Sequence, residues 1–391
     1  MDNNTNNQAD TPSEGMEIYD VAIIGGGLAG LSLAIQLAKE NYKVIVLEKE
    51  TYPFHKVCGE YISLESWNFL EHLGYPLSDM ELPIIKNLTV SSPNGNTIHH
   101  SLPLGGFGIS RYKIDAELAQ LARSMGAVVM EGVKVNDVIF NNELFEVLCA
   151  AISIKARVAA GSFGKRSNLD IKWKRRFAEQ KMGKLNNYIG VKYHIKTNFP
   201  VDSIALHNFS NGYCGISKVE NNICCFCYLT TAANLKKSVN SIETMEKNIL
   251  HKNPFLKDIF STAEFLWKEP VTIARVSFTK KKQVENHVLM IGDAAGMITP
   301  LCGNGMSMAL HGSKLAAGAV TKFLNGQLSR QVMEQQYEQH WKTAFGSRLR
   351  TGRFIQRMFG KSRITNIFIA LLKPFPRITS FLIRQTHGEP F

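Results

Sequence analysis

The stretch that decides the fold covers residues 19–30 and reads Tyr19-Asp-Val-Ala-Ile-Ile-Gly-Gly-Gly-Leu-Ala-Gly30. Its apolar first half predicts a strand buried on both faces of a parallel sheet. Gly25, Gly27 and Gly30 then fit the G-x-G-x-x-G pattern, which permits a tight turn, close approach of a pyrophosphate and close packing of the next helix. A helix beginning near Leu28 would direct its free N–H groups at the phosphates.

A second apolar strand, residues 43–47, ends at Glu48, roughly 20 residues beyond the glycines, where a carboxylate can accept hydrogen bonds from a ribose. An acid at this place favours an unmodified adenosine ribose over a 2′-phosphate. The segment therefore predicts a bound dinucleotide, and it does not separate FAD from NAD.

A second segment separates FAD from NAD. It reads His287-Val-Leu-Met-Ile-Gly-Asp-Ala-Ala-Gly296 and runs into Pro300-Leu-Cys-Gly-Asn-Gly305. Its strand ends at Gly292-Asp293, at the edge of the sheet where ligands bind. Asp293 could accept hydrogen bonds from ribityl hydroxyls, and the following helix would direct its positive end at the pyrimidine edge of a flavin. Together the two segments predict FAD and hence a flavoprotein.

With Ser110-Arg-Tyr-Lys-Ile-Asp115 and Leu118, these segments resemble the flavoprotein group that contains p-hydroxybenzoate hydroxylase and the geranylgeranyl reductases. The resemblance spans residues 18–325. It implies that Arg111 lies near FAD and that Asp115 is structural, whereas the residues alone leave open a surface arginine that caps a helix.

The stretch Lys56-Val-Cys-Gly-Glu60 is similar to a loop that lies beside the flavin in the reductase branch. Cys58 is the weak candidate for catalysis, because a reactive thiol needs a cationic neighbour and Lys56 or His55 could supply one. The alternative is a buried structural cysteine. The predicted FAD-binding residues are Gly25, Gly27, Leu28, Ala29, Gly30, Glu48, Lys49, Cys58, Gly59, Arg111, Gly292, Asp293, Gly303, Asn304, Gly305 and Met306.

Three departures from the group's pattern bear on the reaction. Ser162-Phe163 replaces Ala-Asp in the usual Gly-Ala-Asp-Gly segment, and no polar hairpin turn is visible in residues 145–154 just upstream. The segment Gly212-Tyr-Cys-Gly-Ile-Ser-Lys218 keeps Tyr213 but lacks the tryptophan and Phe-Pro of the reductases. A halogenase-type Trp-x-Trp-x-Ile-Pro motif is missing, which sets halogenation aside.

A basic patch at Lys165-Arg166 and residues 172–176 could attract an NAD(P)H phosphate or an acidic carrier, and its alternative is a solvated positive face. Cys224, Cys225 and Cys227 are interpreted as strand core, so no metal site is predicted. No histidine–carboxylate pair stands out; four histidines are candidates by residue type alone, namely His55, His194, His207 and His311.

The 391 residues suffice for two domains, and the seven cysteines without an export signal predict a reduced, cytoplasmic chain. The net charge is +12, but no motif indicates nucleic-acid binding. Residues 331–391 combine basic and apolar side chains, and Pro374 and Pro376 divide their end into two short helical pieces. This region would either bind peripherally to the anionic inner surface of a membrane or pack on the FAD domain or a partner subunit.

The predicted fold class is α/β: a Rossmann-like FAD-binding domain with a mixed sheet, an antiparallel β-sheet substrate domain and C-terminal helices. The predicted domains are a disordered tail (1–16), a discontinuous FAD-binding domain (17–82, 104–185 and 270–330), a substrate domain (83–103 and 186–269) and the C-terminal basic helical region (331–391).

The predicted function is an FAD-dependent oxidoreductase in which NAD(P)H reduces the flavin and an apolar or aromatic small molecule is the substrate. Monooxygenation is slightly favoured. One alternative is a geranylgeranyl-reductase-like reduction of carbon–carbon double bonds in a lipid-like substrate. Another is a non-catalytic flavin-binding scaffold or sensor, which the altered Ser162-Phe163 segment and the missing hairpin would fit. The sequence leaves the oligomeric state open.

Overall fold

The computed structural model describes residues 17–179, 187–299, 303–358, 362–385 and 388–391. In these residues the chain forms two large sheets with helices and a helical C-terminal region, which confirms the predicted fold class. The predicted N-terminal tail, residues 1–16, lies outside the described residues.

The strands are β1 (Ile18–Ile24), β2 (Val44–Leu47), β3 (Tyr61–Ser63), β4 (Ile84–Ser91), β5 (Thr97–Gly108), β6 (Val128–Met130), β7 (Val135–Asn141), β8 (Leu144–Cys149), β9 (Ser153–Gly161), β10 (Tyr188–Lys196), β11 (Ser203–Phe209), β12 (Gly212–Lys218), β13 (Cys224–Thr231), β14 (Glu264–Phe265), β15 (Val271–Val276), β16 (Val284–Glu285) and β17 (Val288–Met290). The α-helices are α1 (Leu28–Lys39), α2 (Trp67–Leu73), α3 (Arg111–Ser124), α4 (Asn168–Lys172), α5 (Arg176–Glu179), α6 (Ala232–Lys237), α7 (Ile242–Ile249), α8 (Pro254–Thr262), α9 (Gly305–Leu324), α10 (Arg330–Met358), α11 (Ser362–Leu372) and α12 (Pro376–Arg384).

The first sheet has the strand order β16-β17-β9-β1-β2-β6, and β1, β2, β6, β9 and β17 run parallel in it. The last four residues of β1 and all of β2 are buried, as expected of strands covered on both faces. Helix α1 packs against α9, where Ser32 and Ser313 share a 2.7 Å hydrogen bond. The carboxyl ends of the parallel strands therefore meet at one edge, beside the start of α1.

The hairpin that the sequence did not reveal is present, so that expectation is wrong. Strand β8 pairs antiparallel with both β7 and β9. The turn between β7 and β8 uses Asn142 and Glu143 at positive φ values of 48° and 60°. The turn inside residues 145–154 joins β8 to β9 through Ala150, Ala151 and Ile152, where the Cys149 N–H donates to the Ile152 carbonyl at 2.9 Å. It carries no polar side chain, so the usual turn signal is missing.

The second sheet has the order β14-β10-β13-β12-β11-β4-β5-β3, and β15 pairs with β10. Its pairings are antiparallel apart from β4 with β11. Alternating residues predict strands at 189–195, 203–207, 213–217 and 223–229, and Asn94-Gly95 predicts a hairpin turn. Strands β10 to β13 and the β4–β5 hairpin, where Gly95 has φ of 89°, confirm these predictions. Ser241 is the N-cap of α7, because its side chain accepts a hydrogen bond from the Thr244 N–H.

Strand pairing changes the domain assignment at three places. Strands β3 and β15 were assigned to the FAD-binding domain, but both pair in the second sheet. Strand β5 continues past residue 104 to Gly108 in the same sheet. Edge strands such as β3 are too short to reveal their partners by periodicity, so the boundary needed the three-dimensional pairing.

The C-terminal region is helical, as predicted. Helix α10 packs on α9, and the Tyr337 hydroxyl donates a 2.5 Å hydrogen bond to the Met290 carbonyl. Prolines separate α11 from α12, which confirms the two short helical pieces. Within the described ranges, no single helix is long and apolar enough to cross a membrane; residues 364–372 and 377–384 pass that test only as a pair, bent by 114°.

Candidate active site

The turn after β1 requires glycine at two positions. Gly25 has φ of 103°, and a Cβ built there would lie 2.5 Å from the Ser162 carbonyl oxygen. A Cβ on Gly30 would lie 2.2 Å from the Gly25 carbonyl oxygen. These contacts give the first and third glycines of the motif the packing roles that the sequence assigned to them.

The middle glycine faces open space between cations. A Cβ on Gly27 would lie 3.4 Å from Arg111 Nη2 and 3.8 Å from Lys56 Nζ. Gly27 also precedes the first turn of α1, whose free N–H groups and positive dipole end point the same way. The glycine turn, the helix end and the two cations therefore form a cradle that fits the pyrophosphate of FAD.

Asp115 holds both cations in place. It accepts hydrogen bonds from Arg111 Nε at 2.8 Å, from Arg111 Nη2 at 2.7 Å and from Lys56 Nζ at 2.9 Å. Burial opposes ionisation of this carboxyl, but the two cations outweigh it and lower the pKa of Asp115. The Arg111 side chain is only 14% exposed and lines the cavity, so it is not a solvated helix cap.

Glu48 lies at the adenosine end of the cradle and is buried. Its Oε2 accepts a 2.8 Å hydrogen bond from the Gly26 N–H, and its Oε1 accepts a 3.1 Å bond from the Glu50 N–H. Lys49 is largely exposed and pairs with Glu50 at 3.0 Å. The backbone thus fixes the Glu48 carboxylate at the cavity wall, where a ribose could donate to it.

Asp293 lies in the turn after β17, and two buried cations hold this turn from behind. Lys281 Nζ donates to the Asp293 carbonyl at 2.8 Å and to the Lys165 carbonyl at 3.2 Å. Arg175 Nη2 donates to the Ala294 carbonyl at 3.1 Å. Burial lowers the pKa of Lys281 to about 8. The Asp293 side chain faces the cavity from a fixed turn.

Helix α9 begins at Gly305, close to the predicted start. Gly303 has φ of 65° and Asn304 is fully buried as the N-cap, so the pair sets the direction in which the helix leaves the loop. Residues 300–302 of the predicted loop lie outside the described residues. The start of α9 lies at the cavity wall together with Asp293.

One continuous cavity of about 1070 Å³ joins this cradle to the second sheet. The predicted residues that line it are Gly25, Gly27, Leu28, Ala29, Glu48, Lys49, Cys58, Gly59, Arg111, Gly292, Asp293, Gly303, Gly305 and Met306. Gly30 and Asn304 support the wall from behind. The second sheet contributes an aliphatic wall made of Leu88, Leu102, Ile204, Leu206, Ile216, Leu229, Val271, Ile273 and Val276.

Between the cradle and the second sheet lies a buried charge cluster that the sequence did not reveal. Glu60 is fully buried, with φ of 55°, and one carboxylate oxygen accepts hydrogen bonds from Lys192 Nζ and, at 2.8 Å, from the Arg111 N–H. Its other oxygen lies 2.6 Å from His194 Nε2. We call Glu60, Lys192 and His194 the buried charge cluster.

Glu60 and Lys192 keep their charges despite burial. Burial opposes ionisation of Glu60, but Lys192 and His194 outweigh it and bring the pKa of Glu60 to about 2. Burial likewise disfavours the Lys192 ammonium, and Glu60 raises its pKa. A sequence signal existed, because Lys192 and His194 occupy alternate positions on one face of a strand whose other face is apolar.

Cys58 lines the cavity beside this cluster. Cys225 Sγ donates to the Cys58 carbonyl at 3.2 Å, which ties the loop to β13. Of the two predicted cationic neighbours, burial lowers the pKa of His55 to about 4, and Lys56 is paired with Asp115. Cys58 instead has electrostatic interactions with Arg111 and Lys192.

The structure also places the basic patch and the Ser162-Phe163 segment. In the basic patch, Arg175 is buried and pairs with Asp170 at 2.8 Å. Lys172, Lys174 and Arg176 are exposed, with Lys172 paired to Asp137 at 2.8 Å, so the patch is a solvated positive face at these three residues. Lys165 lines the cavity, and its Nζ donates to the Val57 carbonyl at 2.8 Å. Ser162 also lines the cavity, and its N–H donates to the Ile24 carbonyl at 2.7 Å.

Two residues of the buried charge cluster also belong to a group of side chains of the types that bind metal ions. Ligand atoms of Glu60, His194 and Cys225 lie within 4.8 Å of one another. The Glu60 oxygens are already engaged by three donors, one of them the Lys192 ammonium, and burial raises the pKa of the Cys225 thiol well above its usual range. A divalent cation would have to displace that ammonium, so the arrangement suits an internal ion pair better than a metal centre.

Known proteins share the fingerprint and the fold. Residues 20–56 match the family model described as FAD dependent oxidoreductase. Conditioned medium factor receptor 1 of Dictyostelium discoideum is 27% identical over 364 residues, which cover 84% of this chain and 68% of that protein. Digeranylgeranylglycerophospholipid reductase of Methanococcus vannielii is 22% identical over 363 residues, which cover 83% of this chain and 83% of that protein. The solved structure of the flavin-dependent brominase Bmp2 has a TM-score of 0.78 at 20% identity and covers 95% of this chain and 93% of its own.

The predicted resemblance is therefore confirmed, and the class of protein is that of the FAD-dependent oxidoreductases, with reductases of geranylgeranyl lipids among the relatives. A brominase shares the fold, so the missing Trp-x-Trp-x-Ile-Pro motif does not by itself set halogenation aside. The fold is compatible with reduction, monooxygenation and halogenation alike.

Proposed function

We propose that the chain is an FAD-dependent reductase that saturates carbon–carbon double bonds in a long, lipid-like substrate, with NAD(P)H as the reductant. The observation that carries this proposal is the aliphatic wall, which continues the FAD cradle into an apolar cavity with few polar groups to orient a small polar substrate. The relative from Methanococcus vannielii, named as a reductase of a geranylgeranyl lipid, supports the same substrate class.

When bound, FAD supplies two-electron transfer, and the protein supplies orientation, exclusion of water and a proton. Saturating a double bond adds a hydride and a proton. Of the titratable residues in the loop 55–60, Glu60 is ionised, His55 is neutral at pH 7, and Lys56 is committed to Asp115. Cys58 is therefore the proposed donor of the proton.

A second candidate function is monooxygenation of an aromatic substrate. It is favoured by the segment of β12 in which Tyr213 alone remains of the reductases' aromatic residues and lines the cavity. The non-catalytic scaffold loses part of its support, because the hairpin whose absence suggested it is present.

One experiment separates these functions. The FAD-loaded protein would be incubated with NADPH or NADH and digeranylgeranylglycerophospholipid without oxygen, and in parallel with p-hydroxybenzoate under ¹⁸O₂. The proposal expects anaerobic lipid products that gain two hydrogens per double bond. An ¹⁸O-labelled aromatic product with no anaerobic turnover would overturn it in favour of monooxygenation, a halide-dependent product would favour halogenation, and unchanged substrates with no bleaching of FAD would favour the scaffold.

The Cys58→Ala variant tests the proton donor in the same assay. We expect FAD to be reduced at the rate of the unmodified protein while lipid saturation falls by about a hundredfold, since loss of a general acid commonly costs 10² to 10⁴ in rate. Cys149→Ala is the matched control, because Cys149 lies at the end of β8, in the first sheet. Equal lipid turnover in both variants would contradict the role of Cys58.

A further inference from the structure

The two C-terminal helices carry an exposed apolar face. Large apolar side chains recur at spacings of three or four residues within α11 and within α12, as expected of one face of each helix, although the two helices are bent by 114°. We call these residues the C-terminal apolar face; their exposed fractions are 60% for Ile367, 61% for Leu371, 54% for Phe375, 48% for Ile378 and 60% for Phe381. Scattered exposed apolar residues are ordinary, but five of them within 15 positions mark a candidate interaction surface.

The charges around this face have one sign. Between Glu338 and Glu389 the sequence has no acidic residue. The same span holds basic residues at Lys342, Arg348, Arg350, Arg353, Arg357, Lys361, Arg363, Lys373, Arg377 and Arg384. Lys373, Arg377 and Arg384 are exposed and lie in or beside the apolar face. A surface that is both apolar and purely basic complements an apolar layer covered by negative charge.

We propose that the C-terminal apolar face docks on the surface of an anionic lipid bilayer. Its aromatic and aliphatic side chains would enter the boundary between headgroups and acyl chains, while the basic side chains contact the headgroups. A partner protein would place acidic side chains opposite particular basic residues of this span. An anionic bilayer attracts every basic residue alike and requires only that the span carry no acidic residue. The absence of acids over the whole span therefore favours the bilayer.

The inner side of α12 connects this face to the cavity. Ile383 packs against Tyr61 and Leu102, and both of these residues also line the cavity. Ser380 Oγ lies 2.9 Å from His100 Nε2, which attaches α12 to β5. The inner side of α12 therefore packs on residues that line the cavity. The docking itself does not depend on which reaction the cavity supports.

Vesicle flotation tests the proposal with the full FAD-loaded chain. The vesicles would contain phosphatidylcholine alone or phosphatidylcholine with phosphatidylglycerol. The protein should float with the anionic vesicles, and the Phe375→Ser, Ile378→Ser and Phe381→Ser triple variant should lose binding about tenfold or more, because each serine removes an apolar side chain that the bilayer would bury. Replacing Lys373, Arg377 and Arg384 by glutamine should reduce the preference for anionic vesicles, because seven of the ten basic residues of the span remain.

The matched control replaces Ile139, Val201 and Val239 by serine, since these are also exposed apolar residues but lie elsewhere on the surface. Retained absorbance of bound FAD shows that each variant is folded. A Phe381→Trp variant should show fluorescence quenching by lipids brominated on their acyl chains. Absence of flotation with either vesicle, or equal flotation of the control and the C-terminal triple variant, would overturn the proposal whatever substrate the enzyme uses.

Discussion

Replacing Glu60 by glutamine probes the buried charge cluster most directly. Glutamine keeps the shape of the side chain and an oxygen that can accept from the Arg111 N–H, but it removes the negative charge. Lys192 is fully buried and would remain as a cation without its anion. The structure therefore predicts a loss of folding stability as well as a loss of order between the cradle and the second sheet.

The magnitude follows from the pKa of Glu60, which lies at about 2 against an ordinary value of 4.5. That difference corresponds to about 3 kcal/mol of folding free energy. Removing one partner of a buried ion pair typically costs roughly 3–5 kcal/mol, which agrees. Because the pKa is lowered in the folded state, this stability is present above about pH 4.5 and is lost as the pH falls toward 2.

Urea unfolding at pH 7, followed by tryptophan fluorescence, measures the effect, and Trp267 is a local reporter because its ring stacks on His194 at 4.7 Å. Glu60→Gln should unfold at a clearly lower urea concentration than the unmodified protein. The double variant Glu60→Gln, Lys192→Met should regain part of the loss, since it no longer buries an unpaired charge. Glu243→Gln, which breaks an exposed pair with Lys247, is the control and should leave the curve unchanged.

Three outcomes would contradict this reasoning. One is a Glu60→Gln curve that coincides with the curve of the Glu243→Gln control. Another is a double variant that is no more stable than Glu60→Gln alone, because the cost would then not come from an unpaired Lys192. A gap between the unmodified protein and Glu60→Gln that fails to narrow below pH 4.5 would contradict the assignment of the lowered pKa.

Three further changes have definite expected outcomes. Gly30→Ala places a Cβ 2.2 Å from a backbone oxygen and should yield protein without bound FAD by absorbance, whereas Gly318→Ala, whose Cβ would meet no atom within 4 Å, should keep it. Glu48→Gln should weaken FAD binding in a fluorescence titration by about tenfold or more, because a hydrogen bond to a charged group contributes roughly 1.5–3 kcal/mol; an unchanged affinity would place the ribose elsewhere. Lys281 has a pKa of about 8, lowered from 10.5, so the unfolded chain binds more protons between these values. The stability of the unmodified protein relative to Lys281→Met should therefore rise by up to about 3 kcal/mol from pH 8 to pH 10.5 in urea unfolding, and a flat difference would reject the lowered pKa.

The sequence predicted the parts of the site that depend on local backbone. A positive φ at Gly25 and the close contact at Gly30 demand glycine whatever surrounds them, so the motif could be recognised in the chain itself. The strands of the second sheet were equally visible, because alternation and the Asn94-Gly95 turn are short-range signals. Strand partners were not visible, and for that reason the residues of β3 and β15 were placed in the FAD-binding domain although both strands pair in the second sheet.

What only the tertiary structure decided is the set of contacts between residues that are distant in sequence. Glu60 and His194 are 134 positions apart, and no local pattern indicates that the packed sheets bring them into contact with each other and with Lys192. The same holds for Arg175, which a basic run in the sequence presented as a surface charge but which the fold buries against Asp170. Local steric constraints depend on each residue and its neighbours in the chain. The burial that makes charged groups pair arises only once the two sheets have packed.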